Sequence, residues 1–348
     1  MSTVEPMRVG VVGCGMVAQM YVGGSKAFDT WKPVACADLD VAATEAFAAK
    51  HGLRPETVDD LVADPEIDLV LNLTPAAAHA AVTRAALEAD KHVYTEKPLA
   101  TTVDEGRELV TEAERRGLRL GCAPDTFLSS AYLAAKRLID DGAIGVPIGA
   151  SARLLLGGPD AWHPNAAAFY GPGGGPLLDL APYYLAAAVA LFGPIEAVAG
   201  FATTPTPVRT LGAGPLAGRT IESEVPTHAA ALLRMRQGAL VMLTVSFEAR
   251  DQYVSGMEVF GTEASLVLPN ANEFGGDILL LRGETEPEPV PYESLGARET
   301  RGRGLDDLVE SLRAGRPHRA SGELALHVLE AAAAVSRSET ERRTIALD

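Results

Sequence analysis

The chain has 348 residues, of which 47% are hydrophobic and 22% charged, a composition typical of a globular protein that is long enough for two domains. With 46 acidic against 30 basic residues the net charge is −16, which argues against nucleic acid as a partner because phosphate binding needs clustered basic side chains. The three cysteines lack C-x-x-C spacing, and no basic-then-apolar leader or membrane-length apolar run occurs, so we expect a cytoplasmic protein with reduced thiols.

The first predicted element is a short apolar strand over residues 8–12, which runs through a glycine-rich turn into a helix over residues 16–27. The turn carries Gly13, Gly15 and Ala18 in a G-x-G-x-x-A pattern. In a dinucleotide site the first glycine permits the tight turn, the second lets the backbone approach a pyrophosphate, and the small third residue lets helix and strand pack closely. The order of strand, turn and helix predicts such a site, although the glycine pattern alone would also suit an ordinary turn.

The N-terminus of this helix and the strand after it add to the prediction. Met16 and Val17 lie in the first turn, where backbone N–H groups and the helix dipole favour a phosphate. The next strand, over residues 32–37, ends at Asp38, about 20 residues beyond the glycine motif, where a carboxylate would bind the adenosine ribose and repel a 2′-phosphate. We therefore predict NAD(H) rather than NADP(H). Alternatively, Asp38 only caps the helix that begins near Val41.

Helices and strands alternate through the first third of the chain. The predicted helices span residues 41–50, 59–63, 76–89 and 103–116. The predicted strands between them span residues 68–73, 92–94 and 118–122. Strands that are separated by helices form parallel βαβ units, so residues 1–124 are expected to be a Rossmann domain with a doubly wound parallel sheet.

The pattern changes in the second domain, which we assign to residues 125–348. The predicted strands span residues 148–156, 195–201, 227–235, 239–247, 255–260, 264–268 and 278–281. Their alternation of apolar and polar residues predicts an antiparallel sheet with one packed face. The predicted helices span residues 130–141, 177–192, 305–314 and 324–336, and Pro- and Gly-rich loops span residues 203–218 and 284–300. The final helices are candidates to pack back on the Rossmann domain.

A second motif, Asn72-Leu73-Thr74-Pro75 followed by His79, lies where a predicted strand ends and a helix begins. Ligands of an open parallel sheet bind at this carboxyl edge, so the polar residues of the motif are candidates to contact a cofactor. Thr74 could equally cap the helix, with Pro75 in its first position. His79 is one turn into the helix and could face either the cofactor or solvent.

A third motif, Glu96-Lys97-Pro98, directly follows the next short strand and would reach the same edge of the sheet. Lys97 could hydrogen-bond a substrate hydroxyl and stabilise the alkoxide that forms as hydride leaves, while Pro98 fixes the turn. Alternatively, Glu96 and Lys97 form a surface salt bridge ahead of a helix.

A fourth motif begins at Gly173-Gly174-Gly175 and enters an apolar helix that carries Asp179 and, four residues later, Tyr183. Side chains at this spacing share one helix face, so the carboxylate and the phenol could act as acceptor and donor around a sugar hydroxyl. Alternatively, Asp179 pairs with a buried arginine and Tyr183 belongs to the core.

Three more residues are candidates to line a substrate pocket. Asp125 follows the last predicted Rossmann strand, and Trp162 and His163 lie in a loop ahead of the three glycines. An indole can stack on a sugar face and an imidazole can hydrogen-bond its hydroxyls, although loop aromatics often only pack. The sequence predicts no metal site, because no cluster of Cys, His and acidic residues has metal-ligand spacing.

The four motifs, in this order and over nearly the whole chain, resemble those of the Gfo/Idh/MocA family of sugar and inositol dehydrogenases. The resemblance rests on the glycine motif, Thr74-Pro75 with His79, the Glu96-Lys97-Pro98 signature and the G-G-G-x-L-x-D segment that ends at Asp179. It implies a Rossmann domain followed by a substrate-binding α/β domain, whose open, mostly antiparallel sheet often forms the oligomer interface, so a homodimer or homotetramer is expected. It also implies that Lys97 contacts both the substrate and the nicotinamide ribose.

The chain departs from the family at the segment that commonly continues D-x-G-x-H, in which the histidine is taken as the acid/base. Here Ala181 and Tyr183 stand in place of the glycine and the histidine. A phenol has a pKa of about 10, so a tyrosine base would need Lys97 nearby to lower that pKa. Asp179 and Lys97 could instead share the proton, and His163 is the next candidate for the acid/base.

The resemblance implies an NAD(H)-dependent oxidoreductase that interconverts a secondary alcohol and a ketone on a sugar, an inositol or a related cyclic polyol. The missing histidine leaves open a lyase, epimerase or glycosidase that uses tightly bound NAD transiently, or a redox-silent NAD(H) sensor. The residues expected to hold the cofactor are Gly13, Gly15, Met16, Val17, Ala18, Asp38, Asn72, Thr74, Pro75, His79, Glu96 and Lys97. The residues expected to bind the substrate are Lys97, Asp125, Trp162, His163, Asp179 and Tyr183. Lys97, Asp179 and Tyr183 are expected to carry catalysis.

Overall fold

The computed structural model describes residues 5–249 and 255–347, which form two compact units. The first unit contains the residues up to Asp125 together with Leu295–Leu326, and the second contains Thr126–Ser294 and the residues from His327 onward. Within the two described ranges, no helix combines the length and the apolar character that crossing a membrane would require.

The first unit is built on a six-stranded sheet in the order β3-β2-β1-β4-β5-β6, in which every neighbouring pair is parallel. The strands are β1 (Met7–Val12), β2 (Trp31–Ala37), β3 (Arg54–Pro55), β4 (Leu69–Asn72), β5 (His92–Thr95) and β6 (Leu120–Cys122). The helices of this part are α1 (Met16–Gly24), α2 (Val41–His51), α3 (Val58–Ala63), α4 (Ala76–Glu88) and α5 (Val103–Arg116). The predicted doubly wound parallel sheet is confirmed. The short strand β3 was not predicted.

The strand order places the ligand edge of this sheet. From β1 the chain adds β2 and β3 on one side and then β4, β5 and β6 on the other. The carboxyl ends of β1 and β4 are therefore neighbours at the point where the order reverses, which is where open α/β sheets bind ligands. The glycine turn, the segment after Asn72 and the segment after Thr95 all leave the sheet at this edge.

The second unit contains a nine-stranded sheet in the order β16-β15-β14-β13-β7-β12-β11-β8-β17. The pair β7–β12 is parallel and the other neighbours are antiparallel, which confirms a mostly antiparallel sheet. The elements up to residue 294 are α6 (Ser130–Asp140), β7 (Pro147–Leu155), α7 (Pro176–Asp179), α8 (Ala181–Phe192), β8 (Ile195–Thr203), β9 (Val208–Thr210), β10 (Thr220–Glu222), β11 (His228–Met235), β12 (Leu240–Ser246), β13 (Ser255–Gly261), β14 (Ser265–Leu268), β15 (Leu279–Leu281) and β16 (Glu288–Pro289).

One face of the nine-stranded sheet is covered and the other is open. Helix α8 packs against β7 and β12 and is almost entirely buried. Along β12, Val241 and Leu243 are buried while the alternating Leu240 and Met242 are exposed, as the two-residue period of a strand requires. The predicted packed face is confirmed, and the open face carries exposed apolar side chains, with Arg234 opposite Leu240.

The remaining elements are α9 (Arg303–Ala314), α10 (Gly322–Glu341) and β17 (Ile345–Ala346). The loop predicted over residues 203–218 was partly wrong, because β9 lies in it and pairs with β10. The loop predicted over residues 284–300 likewise contains β16 and a short helical turn. Strands of two or three residues are too short to show a period, so no alternation marks them.

Buried aspartates hold α9 within the first unit. Asp307 has no exposed surface and accepts hydrogen bonds from the Arg319 backbone N–H at 2.7 Å and from its guanidinium at 2.9 Å and 3.1 Å. The Arg316 guanidinium adds a contact at 3.3 Å. Burial by itself would raise the pKa of Asp307, but the Arg319 hydrogen bonds outweigh it and hold the pKa below its ordinary value.

We expect Asp307→Asn to lower the free energy of unfolding by about 2 kcal/mol near neutral pH, because the amide keeps the size of the side chain but loses the ion pairs. The folded-state pKa is depressed, so this stabilisation is present above the unfolded-state pKa and is lost as pH falls through the folded-state pKa. Urea denaturation of both proteins should show a difference that shrinks in acid. Asp104→Asn, which breaks an exposed pair with Arg107, is the control and should change little.

Candidate cofactor and substrate sites

The glycine turn after β1 is shaped by a close backbone approach. Gly13 has φ +98°, and a Cβ on it would lie 2.6 Å from the Leu73 carbonyl oxygen at the end of β4. Its N–H donates to the Ala37 carbonyl at 2.8 Å. Both its conformation and its surroundings therefore require glycine. At Gly15, by contrast, a Cβ would point into open space, with no atom within 4 Å.

The start of α1 has the features of an anion site. Gly15 is the N-cap residue and offers no side-chain acceptor to the N–H groups of the first turn. The side chains of Met16 and Val17 are exposed, while Ala18 is buried beneath them. Uncapped helical N–H groups carry a partial positive charge, so this turn suits the pyrophosphate of a dinucleotide.

Asp38 lies beside the glycine turn at the end of β2. One carboxylate oxygen accepts from the Cys14 N–H at 2.8 Å and the other from the Asp40 N–H at 3.0 Å. The cap of α2 is Asp40, which accepts from the N–H groups of Ala42 and Ala43. The alternative that Asp38 caps this helix was therefore wrong, and its position agrees with the ribose-binding role.

The motif after β4 is organised by Asn72, which is completely buried. Its amide donates to the His79 carbonyl at 3.0 Å and to the Thr83 hydroxyl at 3.1 Å, and its oxygen accepts from the Thr74 hydroxyl at 2.7 Å. The capping alternative for Thr74 was wrong, because its hydroxyl points back to Asn72, and Pro75 is the N-cap rather than the first helical residue. Asn72 thus positions the turn and has no exposed atom for a cofactor.

His79 connects two loops of the ligand edge. It is buried, with Nδ1 2.6 Å from the Pro98 carbonyl oxygen and Nε2 2.8 Å from the Thr74 carbonyl oxygen. Burial lowers the pKa of its ring. His79 therefore faces neither of the two expected directions and instead lies between the loops after β4 and β5. A neutral ring donates to one of these two carbonyls, and only a protonated ring donates to both.

The Glu96-Lys97 pair lies at the carboxyl end of β5, and both residues are half-buried. One carboxylate oxygen of Glu96 accepts from the Tyr21 hydroxyl at 3.0 Å, and the other accepts from the Lys97 backbone N–H at 3.0 Å. The Glu96 N–H donates to the Asn72 carbonyl at 2.8 Å. The turn that carries Lys97 is therefore fixed from α1 and from β4.

Asp125 does not suit the substrate role that its position in the sequence suggests. It is completely buried, and one carboxylate oxygen accepts from the N–H groups of Gly302 and Gly304 at 3.2 Å and 3.0 Å. The Arg301 guanidinium approaches the other oxygen at 3.5 Å. Burial raises the pKa of Asp125, and Arg301 opposes this. Asp125 anchors a backbone segment, and we correct its assignment to that of a positioning residue.

In the second unit, Trp162 and His163 form part of an aromatic cluster. The Trp162 side chain is 60% exposed and its ring lies 5.3 Å from that of His163, which lies 4.8 Å from the Phe169 ring. Nδ1 of His163 accepts from the Asn165 N–H at 3.0 Å, so the neutral ring carries its proton on Nε2. Burial lowers the pKa of His163, and the charge of Asp179 nearby raises it. His163 is thus arranged as an Nε2–H donor rather than as a base.

The helix predicted over residues 177–192 is divided at Leu180. Asp179 ends α7, and Tyr183 lies in the first turn of α8, where its N–H bonds to the Leu180 carbonyl at 3.4 Å. Pro182 is near the start of α8 and has no N–H to continue the hydrogen bonds of a single helix. Asp179 and Tyr183 therefore lie in two successive helical segments, and their shared face stays a prediction. Asp179 is half-buried and Tyr183 is buried.

A buried arginine that the sequence did not reveal supports the Trp162 loop. Arg209 on β9 is buried, pairs with Glu248, and lies 3.7 Å from an oxygen of Asp160. Its guanidinium is 5.3 Å from the centre of the Tyr170 ring, and the Tyr170 hydroxyl donates to Asp160. Arg209 lies in a segment rich in Pro, Gly and Thr, where no local pattern identifies it.

Throughout the described part of the chain, no group of three or more metal-ligating side chains could hold an ion.

Two family models match the chain. Residues 7–123 match the model described as an oxidoreductase family with an NAD-binding Rossmann fold, and residues 132–267 match the GFO/IDH/MocA C-terminal domain. The predicted NAD cofactor is thereby confirmed.

Individual relatives match over most of their length. The chain is 31% identical to dTDP-3,4-didehydro-2,6-dideoxy-alpha-D-glucose 3-reductase of Streptomyces violaceoruber, over 77% of this chain and 74% of the relative. It is 27% identical to 1,5-anhydro-D-fructose reductase of Ensifer adhaerens, over 96% and 98% of the two chains. The fold is similar to that of levoglucosan dehydrogenase in complex with NADH and levoglucosan, with a TM-score of 0.84, 22% identity and coverage of 98% and 99%.

The open space at Gly15 leads to a binding prediction. We expect Gly15→Ala to fold with unchanged thermal stability but to weaken NADH binding about tenfold or more, because the new methyl group would occupy the space that the pyrophosphate needs. NADH fluorescence titration measures the affinity and calorimetry the stability. Gly23→Ala, in the same helix and equally open, is the matched control and should bind NADH normally. Normal NADH binding by Gly15→Ala would contradict the assigned pyrophosphate position.

Proposed function

Because the chain belongs to the Gfo/Idh/MocA family of oxidoreductases, we propose that it interconverts a secondary alcohol and a ketone on a sugar, an inositol or a related cyclic polyol, using NAD(H). The observation that carries the proposal is the position of Lys97, held at the carboxyl end of β5 on the same sheet edge as the glycine turn. The names of the relatives support the substrate class, since they act on deoxysugars and anhydrosugars.

The first unit supplies the groups that bind and orient the cofactor. NAD, when bound, accepts or returns the hydride. The uncapped N–H groups at the start of α1 would bind the pyrophosphate, and Asp38 would accept hydrogen bonds from the ribose hydroxyls. Lys97 would hydrogen-bond the substrate hydroxyl and stabilise negative charge on its oxygen as the carbon is oxidised.

The second unit supplies candidates for substrate binding and proton transfer. We assign Tyr183 and Asp179 to proton transfer, because they occupy the segment where the family carries its acid/base. Trp162 offers an exposed indole face for a pyranose or cyclitol ring, and His163 offers an Nε2–H to one of its oxygens. The fixed tautomer of His163 makes it a donor for recognition, so Tyr183 remains the leading acid/base.

A second function is favoured by Tyr183, which stands where the family carries its acid/base histidine. With tyrosine in place of the family's histidine, the enzyme could oxidise its substrate only transiently, to drive elimination, epimerisation or glycoside cleavage, and return the hydride within one turnover. This alternative predicts NAD that stays bound and no net NADH release. A redox-silent NAD(H) sensor predicts binding without any turnover.

The proposal predicts that the protein forms NADH from NAD⁺ with at least one member of a panel of pyranoses, inositols, glycosides and sugar acids. NADH formation is measured by its near-ultraviolet absorbance. We expect Lys97→Ala and Tyr183→Phe each to lower kcat/KM about 100-fold or more, because each removes a group that acts on the reacting oxygen. The controls are Lys136→Ala, a surface lysine paired with Asp140, and Tyr184→Phe, which removes a buried hydroxyl bonded to Asn270.

The outcomes separate the functions. Turnover that survives Lys97→Ala would refute the role of that residue, and turnover that survives Tyr183→Phe would move proton transfer to another group. If no substrate yields NADH but NAD is recovered from the denatured protein, the transient-oxidation function is favoured. Mass spectrometry of the same reaction mixtures would then identify an eliminated, epimerised or cleaved product.

We further propose that the chain forms a homo-oligomer through the open face of the nine-stranded sheet. Phe201, Leu232, Leu240 and Met242 are exposed on adjacent strands of this face, and Leu232 lies opposite Met242 in the β11–β12 register. Monomers rarely expose large apolar patches, so exposed apolar side chains on neighbouring strands of one sheet face support an interface there.

The oligomer proposal predicts that the double variant Leu232→Glu with Met242→Glu dissociates the assembly, because paired like charges would have to be buried in the interface. Size-exclusion chromatography with light scattering measures the mass, and circular dichroism checks that the variant is folded. Leu216→Glu, at an exposed loop position, is the control. A monomeric native protein, or an unchanged oligomer in the double variant, would refute this interface.

A further inference from the structure

We propose that Tyr21 is a positioning residue for Lys97: its hydroxyl holds the Glu96 carboxylate and thereby fixes the turn that carries the lysine. This inference rests on the function proposed above for Lys97. It concerns a side chain of the dinucleotide helix that neither the glycine motif nor the Glu96-Lys97-Pro98 signature includes.

The link runs through a single carboxylate. Tyr21 lies on α1, five residues after Met16, and is completely buried. Its hydroxyl donates to one oxygen of Glu96 at 3.0 Å, while the other oxygen accepts from the Lys97 backbone N–H at 3.0 Å. The two bonds use different oxygens, so they hold the carboxylate in one orientation. Hydrogen bonds to a charged acceptor are the stronger kind and confer geometric specificity.

The rest of Glu96 is fixed by the sheet alone. Its backbone N–H donates to the Asn72 carbonyl at 2.8 Å, and its carbonyl accepts from the Thr95 hydroxyl at 3.2 Å and from the Cys122 thiol at 3.7 Å. These bonds orient the backbone but leave the carboxylate free to choose a rotamer. The Tyr21 hydroxyl and the Lys97 N–H together fix that rotamer, and Tyr21 reaches the carboxylate from the helix whose N-terminus forms the candidate pyrophosphate site.

Tyr94 provides an internal comparison. It is as buried as Tyr21 and its ring centre lies 6.4 Å away, but its hydroxyl has no hydrogen-bond partner among the residues that the structure describes. Burial raises the pKa of both phenols, and the charge of Glu96 adds to this at Tyr21, so both hydroxyls stay protonated. Tyr21 therefore acts as a fixed donor. Replacing either tyrosine with phenylalanine removes the same atom, but only at Tyr21 does this break a bond.

The kinetic test compares Tyr21→Phe with Tyr94→Phe on the substrate identified by the panel. We expect Tyr21→Phe to lower kcat about tenfold, with KM and the NADH dissociation constant within about twofold, because a misplaced lysine impairs the reaction more than binding. Tyr94→Phe should keep the native kcat. Equal kcat values in the two variants would overturn the inference. A Tyr21→Phe variant in which only KM changes would overturn it as well.

A second test needs no turnover. Competitive labelling with acetic anhydride, read by mass spectrometry, gives the reactivity of the Lys97 amine relative to that of Lys136. We expect a change of at least about twofold in Tyr21→Phe and none in Tyr94→Phe, because only the first alters the surroundings of Lys97. Glu96→Gln with Tyr21→Phe should change the labelling no more than Glu96→Gln alone, because the two residues act in series.

The two tests distinguish failure of this inference from failure of the proposed function. If Lys97 labelling is the same in Tyr21→Phe as in the native protein, the positioning role is refuted whatever the activity. If labelling changes as expected but no polyol is oxidised by the native protein, the link from Tyr21 to Lys97 stands and the proposed function fails.

Discussion

The close approach of Gly13 to the backbone of Leu73 is the constraint on which the cofactor site depends. A Cβ at Gly13 would lie within 3 Å of that backbone, so the turn after β1 can lie against the end of β4 only with glycine there. This contact brings the start of α1 close to the segment that Asn72 organises. The glycine turn and the loops after β4 and β5 therefore form one edge, as the reversal of strand order at β1 requires.

Much of that edge is built by buried polar side chains that hydrogen-bond backbone groups. Asn72 closes the turn after β4, His79 joins the carbonyls of Thr74 and Pro98, and Asp125 holds the N–H groups of Gly302 and Gly304. Each is buried, and each satisfies backbone groups that would otherwise lose their hydrogen bonds on leaving water. Asn72, His79 and Asp125, whose residue types predict ligand contacts in the sequence, therefore hold backbone segments of this edge in place.

In the second unit, buried charged side chains hold a loop in place in a similar way. Arg209, between Glu248 and Asp160 and beside the Tyr170 ring, fixes the loop from which Trp162 is exposed. Removing one partner would leave a buried charge without compensation, so each charge of this network depends on the others. The division of the helix at Leu180 similarly follows from Pro182, which has no N–H to donate.

The sequence by itself determined the parallel sheet, the glycine turn, Asp38 at the end of β2 and the position of Lys97 after β5. These features depend on periodicity and on residues a few positions apart. Such local patterns can be recognised without knowing how the rest of the chain folds. Only the tertiary structure decided the hydrogen-bond partners of Tyr21, His79 and Asp125, and it divided the helix predicted over residues 177–192 at Leu180. The bond from Tyr21 to Glu96 spans 75 residues and that from Gly304 to Asp125 spans 179. No local pattern records such a partner, because the distance between the two groups is set by the packing of the sheet.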